Sequence, residues 1–356
     1  ENIEIQSQYK AREISLTLQN AMRNGEYVET YVRNHNSSKV PSGDTVYRRL
    51  HESLNFEKID SLIDDSVKIA KSLGMFNGKV NVAIDEHDDP YYGRDNKYLI
   101  NVSRNKFRGT DKVIRIASID VVVNDERFTL AYIAKYPLDG IDKAKEVDIL
   151  LRKVIKHGID VNYVLIDRGY FDAGVLEKIG DLGLKYIIPA KENPKTRMFL
   201  GYQLKWSEMN HCYYVVIEDE IKRGKMVVKT NYVRIRYKKD VEWNDFSFYT
   251  NAEVTENNVL ELAETYRKRW GIETGYSKKN EIRLKTRTRN IKLRYFLYGL
   301  SILIYNFWIL INMLLKNMKM RMPLKDFLYF LTKYRKLEKV CYNMLWKKVQ
   351  KGPPSG

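Results

Sequence analysis

Two aspartates stand where predicted strands end. Asp85 closes the apolar run KVNVAID, and Asp167 closes VNYVLID. In open α/β sheets the carboxyl ends of the strands line the crevice where ligands bind. Two neighbouring carboxylates repel each other, and Mg²⁺, which proteins hold mainly through carboxylates, substrate phosphates and water, removes that cost. Because any strand can end in aspartate by chance, the pair alone also allows a purely structural role.

A second set of reactive side chains recurs at helical spacing. Tyr266, Arg269 and Glu273 lie three and four residues apart in VTENNVLELAETYRKRWGIETGYSKKN, a long helix predicted to start near Thr255 or Glu256. At about 100° per residue they share one face. Arginine can bind a phosphate and glutamate can ligate its cation. The alternative is an amphipathic helix on which Arg269 and Glu273 form an i, i+4 surface ion pair.

The segments around these residues predict a mixed α/β sheet. KVNVAID is followed by a hairpin of VIRIASIDVVV and RFTLAYIAKY, then by the helix DKAKEVDILLRKVIKHG with Gly158 as its C-cap. The strand VNYVLID, the helix DAGVLEKIGDLG and the strand LKYIIPA come next. Strands that alternate with helices after a hairpin are typical of such a sheet.

Five segments follow from this pattern. They are residues 1–78, 79–196, 197–252, 253–318 and 319–356. The family resemblance of the three acids, given below, implies that they are, in this order, a helical N-terminal DNA-binding region, the first part of a catalytic domain, a β-strand insertion, the second part of the catalytic domain, and a C-terminal helical region and tail. The insertion includes a stretch, 221–239, with eight Lys or Arg and no acid. Such a stretch is either a nucleic-acid surface or a hairpin with a basic solvent face.

The charge balance of the whole chain favours a polyanionic partner. Lys and Arg number 62 against 45 Asp and Glu, a formal net charge of +17. A cationic surface binds nucleic acid by neutralising phosphates and releasing their counterions. A solvated basic surface without a partner is the alternative. The two cysteines, Cys212 and Cys341, are too few for a disulfide framework or a cysteine-rich zinc site, which favours a reducing compartment.

One segment could span a membrane by its length. Residues 295–315 carry no charge over 21 positions. Ser301, Asn306 and Asn312 interrupt this span, and basic residues flank it on both sides. From hydropathy alone, a membrane helix and a buried core helix are both open.

The three acids, in order and spacing, resemble a known family. Asp85 in VAIDEHDDPYYG, Asp167 in VLIDRGYF and Glu273 in YRKRWGIE are similar to the acids of the DDE transposases of bacterial and archaeal insertion sequences. The similar group, insertion-sequence-4-like, has the signature Tyr-x2-Arg-x3-Glu-x6-Lys. The resemblance extends from about Gly78 to Leu315 and implies a ribonuclease H-like fold, with the β insertion between the second aspartate and the glutamate and helical N- and C-terminal parts.

The resemblance also implies a reaction. Asp85, Asp167 and Glu273 are then the catalytic residues and the ligands of two Mg²⁺ ions, for which Mn²⁺ can substitute. Water cuts the transposon end, and the 3′-hydroxyl attacks target DNA, with a hairpin intermediate associated with this group. The implied partners are the terminal inverted repeats and target DNA, with a homodimer in the synaptic complex and no membrane. The implied location is the cytoplasm, in association with the nucleoid.

The resemblance and the basic stretch 278–294, which has eight bases and one acid, indicate the DNA-binding residues. They are Tyr266, Arg269, Lys278, Lys279, Arg283, Lys285, Arg287, Arg289 and Trp243. Trp243 either stacks on a flipped base or packs in the core. The signature lysine is missing, since Asn280 stands in its place with Lys279 just before it. His87 either assists proton transfer or is incidental.

Two other classes of protein remain open. A domesticated DNA-binding protein would keep the basic surfaces, although the complete set of three acids argues against lost catalysis. A structure-specific nuclease of the same fold would cleave DNA without joining it. For residues 295–315, the resemblance implies a helix packed under the catalytic sheet and argues against a membrane span.

Overall fold

The N-terminal part of the chain is helical. The computed structural model describes residues 9, 11–37, 39–53, 56–103, 106–123, 126–135, 142–239, 242–269, 281–316 and 319–333. The first helices are α1 (Ala11–Arg23), α2 (Val28–Asn34), α3 (Gly43–Ser53) and α4 (Phe56–Ser72). Their apolar faces, which include Leu18, Val28, Val46 and Val67, join one hydrophobic core with the sheet described next. These helices therefore pack on the rest of the protein.

A mixed sheet of ten strands forms the centre of the described structure. The strands are β1 (Val80–Pro90), β2 (Ile100–Asn101), β3 (Lys112–Val123), β4 (Glu126–Lys135), β5 (Val161–Ile166), β6 (Lys185–Pro189), β7 (Lys205–Ser207), β8 (Cys212–Arg223), β9 (Met226–Lys239) and β10 (Glu242–Thr250). Their spatial order is β2-β3-β1-β5-β6-β10-β9-β8-β7, and β4 also pairs with β3. The hairpin, strands and alternating helices predicted from the sequence are present.

The first strand is longer than the sequence pattern predicts. On one edge, β1 pairs with β5 in parallel as far as Ile84 and Ile166. On its other edge it pairs antiparallel with β3 as far as Pro90 and Val113. The prediction that the strand ends at Asp85 is therefore wrong for the β3 edge. It fails because β3 is long enough to supply partners for five further residues, although their side chains are polar.

Helices with clear caps connect the central strands. Helix α5 (Lys143–Lys156) starts at Asp142, whose side chain accepts a hydrogen bond from the Lys145 N–H, and Gly158 follows it with φ +62°. Helix α6 (Ala173–Asp181) starts at Asp172, whose side chain accepts from the Gly174 N–H. A side-chain oxygen at the N-cap satisfies an N–H that has no partner within the helix. These caps agree with the predicted helix ends.

The β-rich part of the chain extends the same sheet. After the short helix α7 (Pro194–Phe199), strands β7 to β10 form an antiparallel meander, and β10 pairs with β6 from Phe248 and Pro189 to Thr250 and Ile187. The basic stretch 221–239 falls mostly in β9. These strands therefore continue the sheet laterally. The division of the chain into five domains stays a prediction.

The long apolar segment is a helix packed inside the protein. Helix α9 (Ile291–Lys316) has a mean hydropathy of 1.7 in its most apolar stretch, and 67% of that stretch is buried against the rest of the chain. It is the one helix of the described residues that is long and apolar enough to cross a membrane. At Gly299 it approaches α4 so closely that a Cβ would lie 2.7 Å from Ile59 Cγ1. The prediction of a buried helix is confirmed.

The amide of Asn306 shows how α9 is held. Its Oδ1 accepts a hydrogen bond from the Thr129 N–H at 3.1 Å, and its Nδ2 donates to the Thr129 carbonyl at 2.9 Å. Nδ2 also donates to Ser66 Oγ at 3.1 Å. One buried side chain therefore ties α9 to β4 and α4. Buried polar groups need such partners, and this explains an asparagine in the middle of an apolar helix.

Two more helices complete the described part. Helix α8 (Val259–Lys268) carries Tyr266, and α10 (Leu324–Lys333) follows α9. Helix α8 starts three or four residues later than predicted, because residues 256–258 form a turn in which Asn258 Oδ1 accepts a hydrogen bond from the Thr255 N–H at 2.8 Å. Its buried side chains, Val259, Leu262, Ala263 and Tyr266, pack with Leu165 and Phe248 of the sheet.

Candidate active site

The two predicted aspartates lie side by side. Ile84 and Ile166 are register partners in the parallel pair β1–β5, and Asp85 and Asp167 directly follow them. The guanidinium of Arg269 faces both, with Nη2 3.6 Å from Asp85 Oδ2 and Nη1 3.7 Å from Asp167 Oδ1. The structure thus brings together three residues that are far apart in the chain.

Arg269 is held in place from two directions. Only 8% of the residue is exposed, and Nη1 donates to the Tyr266 hydroxyl at 3.1 Å. That hydroxyl donates in turn to the carbonyl of Ile166 at 3.3 Å. From the other side, Arg127 donates to the Arg269 carbonyl at 3.1 Å. The end of α8 is therefore fixed to both β4 and β5.

Tyr266 is a buried support of the site, in contact with Arg269 and with the end of β5. It is 3% exposed, its ring stacks on Phe246 with centroids 5.5 Å apart, and burial raises the pKa of its hydroxyl to about 12 despite the nearby Arg269. The hydroxyl therefore stays protonated and can donate its hydrogen bond across the physiological pH range. The predicted role of Tyr266 in holding DNA stays a prediction. In this structure its contacts are with β5 and Arg269.

The environment of Asp85 disfavours an isolated negative charge. Burial raises the pKa of its carboxyl above the usual value, the guanidinium of Arg269 opposes that rise, and the charge of Asp167 adds to it. Its Oδ1 also accepts a hydrogen bond from the Glu86 N–H at 2.8 Å. A buried carboxylate beside a second one gains from a shared positive charge. In this structure Arg269 supplies that charge.

The turn after β5 positions Asp167. Residues Arg168–Tyr170 form one 3₁₀ turn, and Asp167 Oδ2 accepts from the Gly169 N–H at 3.4 Å. The ammonium of Lys143, at the start of α5, donates to the Gly169 carbonyl. A Cβ on Gly169 would lie 3.5 Å from Asp167 Oδ2 and 3.6 Å from Lys143 Nζ, so this lysine lies beside the site. The sequence pattern gave no sign of this role for Lys143.

The carboxylate pair suits a divalent cation. Carboxylate oxygens are the ligands that Mg²⁺ prefers in proteins, and here the two side chains already face one positive group. The Nε atom of Arg269 is buried with no hydrogen-bond partner among the described residues. Within the described ranges no group of three His, Cys, Asp or Glu side chains is placed to hold a metal ion.

Four further predicted residues have no described position. Glu273, Lys278, Lys279 and Asn280 all lie in residues 270–280, outside the described part of the chain. The third catalytic carboxylate and the replacement for the signature lysine therefore remain predictions.

The described part of the basic stretch packs against the N-terminal helices α2 and α3. We call residues 281–290 the basic strap. Ile282 and Leu284 are buried, whereas Lys285, Arg287 and Arg289 are exposed. The strap docks on the start of α2, where the Val28 N–H donates to the Lys285 carbonyl at 3.2 Å. This alternation presents three of the predicted DNA-binding cations on one side.

Arg283 differs from the other cations of the strap. Its Nη2 forms an ion pair with Asp89, and its Nη1 lies 3.2 Å from His87 Nε2. The imidazole of His87 stacks on the ring of Tyr298 with centroids 5.7 Å apart. Arg283 therefore joins the strap to β1, and His87 has a defined place in that contact.

Trp243 lies on the surface. It is 51% exposed on β10, so the alternative that it packs in the core is wrong. Its ring lies 5.8 Å from that of Tyr213, which lies 4.7 Å from that of Trp206. Its register partner on β9 is Lys238, which is exposed. Trp243 therefore belongs to an exposed aromatic and basic surface, where stacking on a base is sterically open.

Arg127, like Lys143, is a residue of the site that the sequence pattern did not indicate. Arg127 is 1% exposed, and its Nη1 lies 3.6 Å from Asp120 Oδ2, which is also buried. An arginine and an aspartate inside two apolar strands, RFTLAYIAKY and VIRIASIDVVV, were a signal of a buried pair, since such charges are rarely buried unpaired. Nothing in the sequence linked that pair to Arg269.

A comparison with protein families decides the class. The sequence profile of the family "Transposase DDE domain" matches residues 106–307, more than half of the chain. This chain belongs to that family. The protein is therefore a DDE transposase, an enzyme of a class that uses divalent metal ions. The match includes Asp167 and starts after Asp85. No curated protein matches the sequence significantly.

A solved structure of a transposase shares the architecture of this chain. The piggyBac transposase, solved by cryo-EM as a synaptic complex with hairpin DNA, aligns with a TM-score of 0.57 and 10% sequence identity over 98% of this chain and 77% of its own. At this identity the likeness shows a shared fold, so the predicted ribonuclease H-like fold is confirmed. The Drosophila P element transposase strand transfer complex gives a TM-score of 0.31 at 16% identity, covering 52% of this DDE transposase and 38% of the other chain.

Proposed function

We propose that this transposase cuts DNA at the ends of a mobile element and joins the resulting 3′-hydroxyl to target DNA, with Asp85 and Asp167 as two of its catalytic carboxylates. Glu273, outside the described residues, is the third. One observation carries the proposal. In a member of this family, two carboxylates follow register partners on adjacent parallel strands and face one buried guanidinium.

Mg²⁺ is the ion that we propose for this site, with Mn²⁺ as its substitute and two ions in all. The ligands are Asp85, Asp167 and Glu273. When bound there, divalent ions supply Lewis acidity for the attacking and leaving oxygens of a phosphoryl transfer. Before an ion binds, Arg269 holds the two described carboxylates together and offsets their charges.

The other residues have supporting roles. Tyr266 fixes Arg269 beside the carbonyl of Ile166. We assign Arg269 to the DNA end because its fork matches two phosphate oxygens, which would reach it at the carboxylate pair that it faces. Lys285, Arg287 and Arg289 are exposed on the basic strap and bind the DNA backbone. Trp243, with its exposed ring, stacks on a base. The net charge of +17 is consistent with DNA as the partner.

The finer family assignment is part of the proposal. The direct contact between Arg269 Nη1 and the Tyr266 hydroxyl supports the Tyr-Arg-Glu-Lys group, whose signature spaces these residues by three. The group's hairpin intermediate and two-ended synaptic complex then imply a homodimer on DNA. We place this activity in the cytoplasm with the nucleoid, where the DNA is, and the burial of α9 agrees with this location.

Cleavage and strand transfer by carboxylate variants test the proposal. The substrate is a duplex carrying the repeat that flanks this gene, in Mg²⁺. Asp85→Asn, Asp167→Asn and Glu273→Gln should each abolish cutting and joining while DNA binding in a gel-shift assay persists, because the cations bind the phosphates. A carboxylate variant that cuts at the wild-type rate contradicts the assignment.

The choice of control follows from the structure. Asp88 and Asp89 are unsuitable, because Asp88 is buried between Arg115 and Lys106, and Asp89 is paired with Arg283 and Arg294. Asp181→Asn is the matched control, since this side chain is 56% exposed at the end of α6. It should cut and join at the wild-type rate.

A further inference from the structure

A cavity lies next to the carboxylates along the same strand. Alternate residues of a strand point to one face, so Asp85, His87 and Asp89 of β1 share a face at steps of about 6.6–6.8 Å. The cavity measures about 630 Å³, and its lining includes His87, Tyr92, Phe107, Arg283, Arg287 and Tyr298. Along β1, the cavity therefore begins at His87, two residues beyond Asp85. We call it the Tyr92 cavity.

The acids in the walls of the Tyr92 cavity are already neutralised. Asp88 forms ion pairs with Lys106 at 2.6 Å and Arg115 at 2.6 Å. Asp89 is paired with Arg283 and with Arg294, the latter at 3.2 Å. Their charges are therefore offset by cations of the protein and leave little attraction for a further cation.

The cations of the strap give the cavity an excess of positive charge. Lys285, Arg287 and Arg289 also line it, and within the described ranges no carboxylate forms an ion pair with their side chains. Lys285 Nζ donates to the backbone carbonyl of Gly25 at 3.0 Å. Cations without a carboxylate partner at an open surface attract phosphate groups.

Two aromatic rings stand exposed at the same cavity. Tyr92 is 63% exposed, and its hydroxyl is anchored by donation to the Arg108 carbonyl at 3.2 Å. That carbonyl belongs to the tight turn between Phe107 and Thr110, where Gly109 has φ +81°. Tyr27 is 40% exposed with the Arg287 guanidinium 5.2 Å from its ring centroid. Fixed, exposed rings beside cations form the stacking platforms that bind single-stranded nucleic acid.

The size of the cavity favours an unpaired base as its occupant. A volume of 630 Å³ is in the range of pockets that enclose a small organic group. A base inside a duplex is stacked on both faces and cannot reach Tyr92 without leaving its pair. An unpaired base has a free face for the ring and carries its phosphate to the strap.

We propose that the Tyr92 cavity binds one unpaired nucleotide of the DNA strand that enters the active site, with its base on Tyr92 and its phosphate at Arg287 and Arg289. This inference rests on the proposed function, since it takes the carboxylates as the place where DNA is cut.

Binding of two oligomers that differ only in their bases tests the cavity. The probes are a fluorescein-labelled 12-mer of thymidylate and an abasic 12-mer of the same length and charge, measured by anisotropy in EDTA so that no cutting occurs. Tyr92→Ala should weaken binding of the thymidylate about 5- to 100-fold, the range for losing one stacked base, and leave the abasic oligomer unchanged. Arg287→Gln with Arg289→Gln should weaken both probes.

A matched control and a second readout make the result decisive. Tyr329→Ala removes a 42%-exposed tyrosine from α10, away from the cavity, and should change neither affinity. Tyr92→Phe keeps the ring and should retain most of the thymidylate binding. On irradiation, an oligomer that carries one 5-iododeoxyuridine should crosslink to Tyr92 or Tyr27.

Two results would overturn the inference: an equal loss of both probes in Tyr92→Ala, or crosslinks only outside the cavity. After either result, the proposed function still holds if the wild-type protein cuts and joins DNA. Conversely, base-dependent binding at Tyr92 in a protein that never cuts DNA contradicts the proposed function alone.

Discussion

Arg127 on β4 donates a hydrogen bond to the backbone carbonyl of Arg269, 142 residues later in the chain, at 3.1 Å. The bond is buried, and Arg127 also faces the buried Asp120. A pair of charges inside the sheet therefore holds the end of the helix that presents Arg269 to the two aspartates. The stability of the fold and the geometry of the site depend on the same guanidinium.

Replacement of Arg127 should affect both stability and activity. Arg127→Met leaves Asp120 buried without its ion pair, and loss of one partner of such a pair costs about 3–5 kcal/mol. Urea denaturation should show this loss, and the double variant with Asp120→Asn should lose less than the sum of the two single changes. Arg152→Met, which breaks the exposed pair with Asp148, is the control and should change stability by about 0.5 kcal/mol at most.

Replacement of Arg269 should separate folding from catalysis. Arg269→Lys keeps one positive charge but cannot contact Asp85 and Asp167 together, because an ammonium is a compact point charge. DNA cleavage should fall on the order of 100-fold or more, as for other positioned charges in active sites, with little change in the thermal midpoint. A rate within about threefold of the wild type would show that the forked shape of Arg269 is unimportant.

Asp88 should make the protein sensitive to acid. Burial alone would raise the pKa of its carboxyl, but hydrogen bonds from Arg115 and Lys106 outweigh burial and lower that pKa below the usual value. The folded protein therefore binds this proton more weakly than the unfolded chain. The contribution of Asp88 to stability is complete above the unfolded pKa of about 3.9 and is lost as the pH falls through the lower folded pKa.

Urea midpoints at pH 7 and pH 3 measure this effect. Asp88→Asn should be less stable than the wild type at pH 7, and the difference should shrink at pH 3. Asp65→Asn, at a 54%-exposed position in α4, is the control and should follow the wild type at both values. A difference that is constant with pH would contradict the assigned ion pairs.

Replacement of Asn306 in α9 should lower the stability of the protein, even by a more apolar residue. Asn306→Leu leaves the buried N–H and carbonyl of Thr129 without partners, at about 1–3 kcal/mol for each group. Chemical denaturation should show a loss of this size, although leucine makes the helix more apolar. Asn20→Leu in α1 is the control, because the bond that it removes runs to the Leu16 carbonyl within the same helix.

Much of this arrangement could be predicted from local patterns. Asp85 and Asp167 each end an apolar run, and adjacent parallel strands bring such ends together. Tyr266 and Arg269 are three residues apart on a helix, and their contact follows from that spacing. The period of two in the basic strap is also visible in its sequence, IRLKTRTR.

Other parts depend on contacts that no local pattern reveals. The continuation of β1 through DEHDDP depends on its partner β3, which supplies hydrogen bonds to a polar segment. The sequence around Arg127 indicates only a charged residue in a strand. Its contact with the end of α8 depends on the tertiary fold. The Tyr92 cavity combines Tyr27 before α2, strand β1 and the strap. Only the packing of these distant segments puts Tyr27 and Arg287 together.

The late position of α9 in the chain has a consequence for synthesis. On the ribosome, α4, β3 and β4 emerge long before α9, which covers Ile59, Ile63, Ile116 and Tyr132 in the finished protein. A nascent chain stopped before residue 291 would thus carry both aspartates and still expose a broad apolar surface, the kind of surface that aggregates or meets chaperones. We therefore expect prematurely terminated products to be cleared by the cell's quality control, so that they do not accumulate as inactive competitors for DNA.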